Sequence, residues 1–210
     1  MAVAAGNVHS ARNTGRSHTV GLRSDGSVLA VGWNGDHQCE VGTWRDIRTV
    51  AAGWRRTLGV RSDGTVLATG RTVDGACDVD SWRGIVAASC GDWHSVGVTE
   101  DGAAVATGNN RRGQCTVGHW TGLVEVSAGC LHGDGRVSAA GEQAAFAGVG
   151  LWADVVAVDA GSHHTVGLLG TGTAVAASAG SSHTLGLCSD GTVLSAGNSG
   201  DGRCDVSGWS

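Results

Sequence analysis

The sequence has no proline, no lysine and no tyrosine, and holds one phenylalanine and one methionine in 210 residues. Without proline, its turns fall to glycine, which occurs 37 times. High glycine without proline fits many tight turns rather than a disordered linker. All the basic residues are arginine, a compositional bias that suggests a GC-rich, bacterial genome. The net charge is −5 and no basic stripe stands out, which argues against a nucleic-acid surface. No apolar run is long enough for a membrane-spanning helix. The start, MAVAAGNVHSARN, lacks the charged region and apolar core of a secretory signal, so a cytoplasmic protein is expected. Cysteine is odd in number, seven, and no Cys-x-x-Cys pair occurs, so neither a zinc site nor a paired disulfide framework is read. Missing too are a phosphate-cradling loop, a nucleophile elbow and carboxylates paired at helical spacing. No cofactor, metal or catalytic residue is therefore assigned, and a protein that is not an enzyme is expected.

What is present is a repeat. Residues 51–70 read AAGWRRTLGVRSDGTVLATG: small residues, a short strand, a Ser-Asp-Gly turn and a second strand. Asp25-Gly26, Asp63-Gly64 and Asp101-Gly102 stand 38 residues apart, as do Cys39, Cys77 and Cys115, and Trp44, Trp82 and Trp120. Three independent markers on one period mean an array of like units. Glycine interrupts every window that could form an apolar helical stripe, so the units are β. Ile47 to Ala52, Thr57 to Arg61, Thr65 to Thr69 and Cys77 to Val79 read as four short strands, with Ser62-Asp63-Gly64 as the hairpin turn. Later units are shortened. Trp120 to Trp152 spans 32 residues, and a strand like Ser95-Val96-Gly97-Val98 lacks a counterpart there; Trp152 to Trp209 spans 57. The spacing predicts one domain of about six units, 7–46, 47–84, 85–122, 123–154, 155–176 (half length) and 177–210. Residues 1–6, MAVAAG, match the 49–53 segment, and are expected to supply the strand missing after Trp209 and so close a ring.

The markers Gly91-Asp92-Trp93-His94-Ser95, Asp101-Gly102 and Gly108-Asn109-Asn110-Arg111-Arg112-Gly113-Gln114-Cys115 stand together in one unit. They resemble the repeats of the regulator of chromosome condensation family, and the short unit and closing Trp look most like bacterial members. The resemblance implies an all-β β-propeller of four-stranded blades. Its eukaryotic founder exchanges nucleotide on a small GTPase through an inserted wedge, and no unit here carries an insertion. A bacterial relative inhibits β-lactamases with its loops. A plant relative senses ultraviolet-B light through clustered Trp in Gly-Trp-Arg-His-Thr motifs; Gly53-Trp54-Arg55-Arg56-Thr57 is close to that motif but occurs once.

The units form an internal alignment. His18, Arg56, His94, His132, His164 and His183 share one position, and are read as side chains that hydrogen-bond the neighbouring unit rather than as metal ligands. Cys39, Cys77, Cys115 and Cys204 are read as small buried apolar groups, and Trp44, Trp82, Trp120, Trp152 and Trp209 as wedges between units. The positions that vary lie in the dipeptide after the hairpin Gly and in the loop after the second strand. Trp and Arg concentrate there, the residues most enriched at binding hot spots. The candidate partner-binding residues are Trp33, Trp54, Arg55, Arg71, Asp92, Trp93, Arg111 and Arg112. The function expected is a non-catalytic scaffold that presents a rim to a protein partner, with no nucleic acid and no membrane involved. The alternatives are an enzyme inhibitor or nucleotide-exchange regulator, by family analogy, or an enzyme with its site at a central channel.

Overall fold

A computed structural model describes residues 2–5, 17–123, 126–128, 132–134, 140–141, 155–160, 165–169, 174–179, 183–188 and 193–197. Every regular element among them is a strand. In chain order these are β1 Ala2–Ala5, β2 His18–Leu22, β3 Val28–Gly32, β4 Ile47–Gly53, β5 Arg56–Arg61, β6 Val66–Gly70, β7 Ile85–Cys90, β8 His94–Thr99, β9 Ala104–Gly108, β10 Ser127–Ala128, β11 His132–Asp134, β12 Ala140–Gly141, β13 Val155–Ala160, β14 Thr165–Leu169, β15 Ala174–Ala179, β16 His183–Cys188 and β17 Val193–Gly197.

Consecutive strands pair antiparallel into six sheets among the described residues: β1-β2-β3, β4-β5-β6, β7-β8-β9, β10-β11-β12, β13-β14 and β15-β16-β17. The fifth sheet has two strands among the described residues. In the first three sheets a three-residue loop joins the second strand to the third. In the second sheet Arg61 N–H bonds Thr65 O (2.8 Å) across Ser62-Asp63-Gly64, and Gly64 takes φ +79°, which a side chain resists. Asp63 Oδ1 accepts from the Thr65 N–H (2.9 Å) and from its hydroxyl (2.6 Å), locking the turn. Asp25 does the same for Ser27.

Four expectations are corrected. First, β1 pairs with β2 (Ala2 opposite Leu22, Ala5 opposite Thr19), so residues 2–5 complete the first sheet rather than the last. The match to 49–53 was sound, since that segment is itself the leading strand of its own sheet. Second, Cys77 to Val79 is a turn, not a fourth strand. The Asp78 and Val79 N–H groups are spent locally, on Gly75 O and Cys77 O, and no residue of the segment pairs in a sheet. Five of the six sheets among the described residues are three-stranded. Third, the fourth unit does hold a counterpart of β8, the three-residue β11. Fourth, β15 crosses the 176/177 boundary and pairs with β16, so its residues go with the sixth sheet.

The core lies between sheets. Trp44 packs with Val20, Leu22 and Val28 of the first sheet, Val41, and Ile47 of the second; Trp82 does likewise with Leu58, Val60 and Val66, Val79, and Ile85 of the third. Trp120 joins Val96, Val98 and Ala104 to Val126 and Ala128. All three indoles are buried. Gly59 and Gly97 make the space for them: a Cβ there would lie 2.8 Å from the Trp44 ring and 2.9 Å from the Trp82 ring. Trp44 and Trp82 thus press on the central strand of the following sheet, in the wedge position read from the repeat. Trp152 and Trp209 lie outside the described residues.

Candidate functional site

The residues on the shared histidine position form seams. His18 Nε2 lies 2.8 Å from Thr57 Oγ1 in the next sheet, and the Thr57 hydroxyl donates to Gln38 O (2.8 Å), so Nε2 carries the hydrogen. One unit on, Arg56 takes the histidine's place. It is fully buried and donates to Ser95 Oγ (3.1 Å), Asp92 O (2.9 Å), Gly91 O (2.5 Å) and His94 O, while Ser95 donates to Ala76 O (2.7 Å). These side chains hydrogen-bond the neighbouring unit, as expected. Burial lowers the His18 pKa below 6.5, outweighing the Arg56 backbone, which raises it. The side chains of His132, His164 and His183 lie outside the described residues.

The cysteines are half-buried and donate to the backbone, which the reading as plain apolar groups missed. Cys39 reaches Trp33 O (3.6 Å), Cys77 reaches Arg71 O (3.2 Å) and Cys115 reaches Asn109 O (3.5 Å). Each ties off the loop after the third strand of its sheet. Burial pushes the Cys77 and Cys115 thiols up to about 11, so they remain protonated and weakly nucleophilic at neutral pH. Cys204 lies outside the described residues. Among the described residues no group of three or more His, Cys, Asp or Glu could hold a metal ion.

The variable positions converge. Trp54 and Arg55 are the two residues of the turn between β4 and β5, where Gly53 pairs with Arg56. Trp93 sits in the corresponding turn before β8, and its ring centroid lies 4.4 Å from that of Trp54 at 61°, edge to face. The Arg55 guanidinium lies 4.7 Å from the Trp33 centroid and 4.9 Å from that of Trp54. Arg71 completes the group at 5.8 Å from Trp54 and 5.9 Å from Trp93. Both distances are within the range of cation–π attraction. Trp54 is 6 % exposed, and the others are half-buried.

Two carboxylates balance the two cations. Asp36 Oδ2 stands 2.8 Å from Arg55 Nε, and Asp74 Oδ1 stands 3.8 Å from Arg71 Nε. The sequence reading missed both, although they lie in the variable loops that it marked. Arg55 adopts φ +66°, a left-handed conformation that a side chain enters at a cost of about 1 kcal/mol. Its carbonyl is held there by the Arg71 N–H (2.9 Å).

Five of the eight candidates therefore meet: Trp33, Trp54, Arg55, Arg71 and Trp93. They come from three consecutive units. Asp92 is buried, and its carbonyl serves Arg56. Arg111 and Arg112 are exposed on the loop after β9, their N–H groups held by Asn109 Oδ1 and Gln114 Oε1 (both 2.9 Å).

Comparison with known proteins agrees with this architecture. The pattern of the Regulator of chromosome condensation (RCC1) repeat matches residues 13–38, 47–76, 85–114 and 174–203, more than half of the chain. No curated protein matches by sequence. The CRINKLY WD40 ectodomain of the Arabidopsis thaliana receptor kinase ACR4 superposes with a TM-score of 0.72 at 14% identity, over 93% of this chain and 84% of that one. The ectodomain of the Physcomitrella patens receptor kinase CR4 gives 0.74 at 16% identity, over 93% and 62%. Prp20p of Saccharomyces cerevisiae, described with its binding to Gsp1p and histones, gives 0.53 at 18% identity, over 86% and 56%. The chain spans less than two thirds of the last two.

Proposed function

The chain belongs to the RCC1-repeat family of β-propellers, and from that premise we propose that it is a non-catalytic scaffold which binds a protein partner through the Trp33, Trp54, Arg55, Arg71 and Trp93 cluster. It is one domain of six blades, one for each sheet, the fifth reduced to two strands. Asp92 adjoins Trp93 in its turn, and Arg111 and Arg112 extend the rim along the third unit.

The carrying observation is the convergence of three indoles and two guanidiniums at one end of adjacent sheets. Nothing in the packing of the sheets calls for them, because the seams are already sealed by Trp44, Trp82 and the Arg56 bonds. Half-buried Trp and Arg give large, rigid contact area at low entropic cost, the composition of a hot spot. Asp36 and Asp74 neutralise the cations, which suits a protein surface of mixed charge better than a bare polyanion. Binding by Prp20p to Gsp1p and histones makes a protein partner the family precedent.

The test compares Trp54→Ala, Arg55→Gly and Arg71→Ala with the wild type in cross-linked capture from the native cell. Arg55→Gly relaxes the left-handed turn, so its fold is retained while its guanidinium is lost. Loss of the same captured protein in all three supports the cluster. Unchanged capture by all three folded variants ends the proposal.

A further inference from the structure

Two successive seams carry the same cluster with its parts exchanged. The 38-residue period sets Arg71 where the first unit has Trp33, Asp74 where it has Asp36, and Trp93 where the second unit's turn has Arg55. Between the first and second units the arginine lies across the seam from its carboxylate. Arg55 comes from the turn of one sheet and Asp36 from the loop of the sheet before, and they meet at 2.8 Å. Two indoles flank that guanidinium, Trp33 at 4.7 Å and Trp54 at 4.9 Å. Carboxylate, guanidinium and indoles form a complete set.

Between the second and third units the turn offers an indole instead. Trp93 holds the place of Arg55, and the cation beside Asp74 comes from the same loop, three residues earlier. Arg71 Nε stops 3.8 Å from Asp74 Oδ1, beyond hydrogen-bond reach. Its guanidinium is also further from its indoles than that of Arg55, at 5.8 Å from Trp54 and 5.9 Å from Trp93. The Asp74 side chain is only 9% exposed, and among the described residues neither of its oxygens accepts a hydrogen bond. Buried carboxylate oxygens are ordinarily matched by donors. Arg71, which lies over Asp74, is the more exposed of the two arginines, 26% against 13%.

We propose that Asp74, with the Trp54 and Trp93 rings, receives an arginine side chain of the protein partner. The pair of Arg55 and Asp36 shows the arrangement that this loop position accepts: a guanidinium on the carboxylate with indoles beside it. A guanidinium brings two parallel N–H groups for the two oxygens of Asp74 and a flat face for the indoles. A lysine ammonium is a point charge without that fork or that face. The incoming arginine displaces Arg71 from Asp74, and Arg71 turns to the partner's surface. This inference rests on the partner binding proposed above and names the chemistry of its central contact.

A titration of the full chain tests the site without the partner. The probes are the blocked peptide acetyl-Gly-Arg-Gly-amide and its lysine and citrulline counterparts, read through the indole N–H signals of Trp54 and Trp93 in isotope-labelled protein. The arginine peptide is expected to shift both signals saturably at millimolar concentration. Citrulline keeps the shape and loses the charge, and is expected to bind at least about tenfold more weakly; Asp74→Asn is expected to weaken the arginine peptide by as much. The lysine peptide is expected to fall between them. If Asp74→Asn does not fold, the citrulline peptide on the wild type makes the same comparison. No saturable shift up to about 20 mM peptide, equal binding of the lysine or citrulline peptide, or unchanged binding to folded Asp74→Asn overturns the proposal. Any of these results leaves the capture test of the proposed function standing, and capture that survives the cluster variants ends that function whatever the peptides do.

Discussion

The seam between the first and second sheets and the seam between the second and third are built to one plan with different side chains. In the first, neutral His18 meets Thr57; in the second, Arg56 reaches three carbonyls and Ser95. Both end on a hydroxyl that donates to the preceding loop, and both are backed by a tryptophan on a glycine. The difference teaches that the plan needs a donor at this position and not a particular residue. A guanidinium satisfies more carbonyls and is always charged, while an imidazole satisfies one hydroxyl and must stay neutral to be buried cheaply.

Breaking that comparison starts with the largest effect. Arg56→Leu leaves the Gly91, Asp92 and His94 carbonyls without this donor in a buried seam, and is expected to cost about 4 kcal/mol; His18→Leu removes one neutral bond and is expected to cost about 1 kcal/mol. Urea unfolding of both variants measures the gap, and equal losses would show that the arginine is not the stronger clamp.

Acid sharpens the contrast. Because burial lowers the folded pKa of His18, the unfolded chain takes up its proton first. The contribution of His18 is fully present above about pH 6.5 and is lost as the pH falls toward the folded value. The wild-type urea midpoint should drop between pH 7.5 and 5, and this drop should be smaller in His18→Gln. Arg56→His should enlarge the drop, since it carries the titration into the second seam.

The smallest expected effect lies at the turns. Hydrogen bonds from the Thr65 hydroxyl and N–H hold the Asp63 pKa below its ordinary value, so its contribution is present above about pH 3.8 and fades as the pH falls further. Asp63→Asn should change stability least of these variants at neutral pH, being solvent-exposed, and should leave the window between pH 7.5 and 5 untouched. A shift inside that window would mean that His18 is not its source.

Much of this was legible from spacing. Trp44, Trp82 and Trp120 keep one period, and a large side chain kept at one place in every unit has one job, so its wedge position could be read directly. His18 and Arg56 were legible for the same reason. The cluster was only half legible. Trp54 and Trp93 differ by one place in their turns, and Trp33 lies on a different loop, so no single period aligns them. Asp36 and Asp74 carried no signal of their own, because a carboxylate in a glycine-rich loop usually faces water.

By itself the sequence determined the repeat, its all-β character and the residues that seal one described unit to the next. Those follow from periodicity, which copies local geometry faithfully from unit to unit. Only the tertiary structure decided which sheet receives the N-terminal strand and which irregular residues meet. MAVAAG has the same pattern wherever it pairs; the free edge beside it in space, β2, selects its place. Likewise, side chains from three separate turns come together because adjacent sheets bring their like ends side by side, and that proximity is a property of packing that no stretch of chain contains.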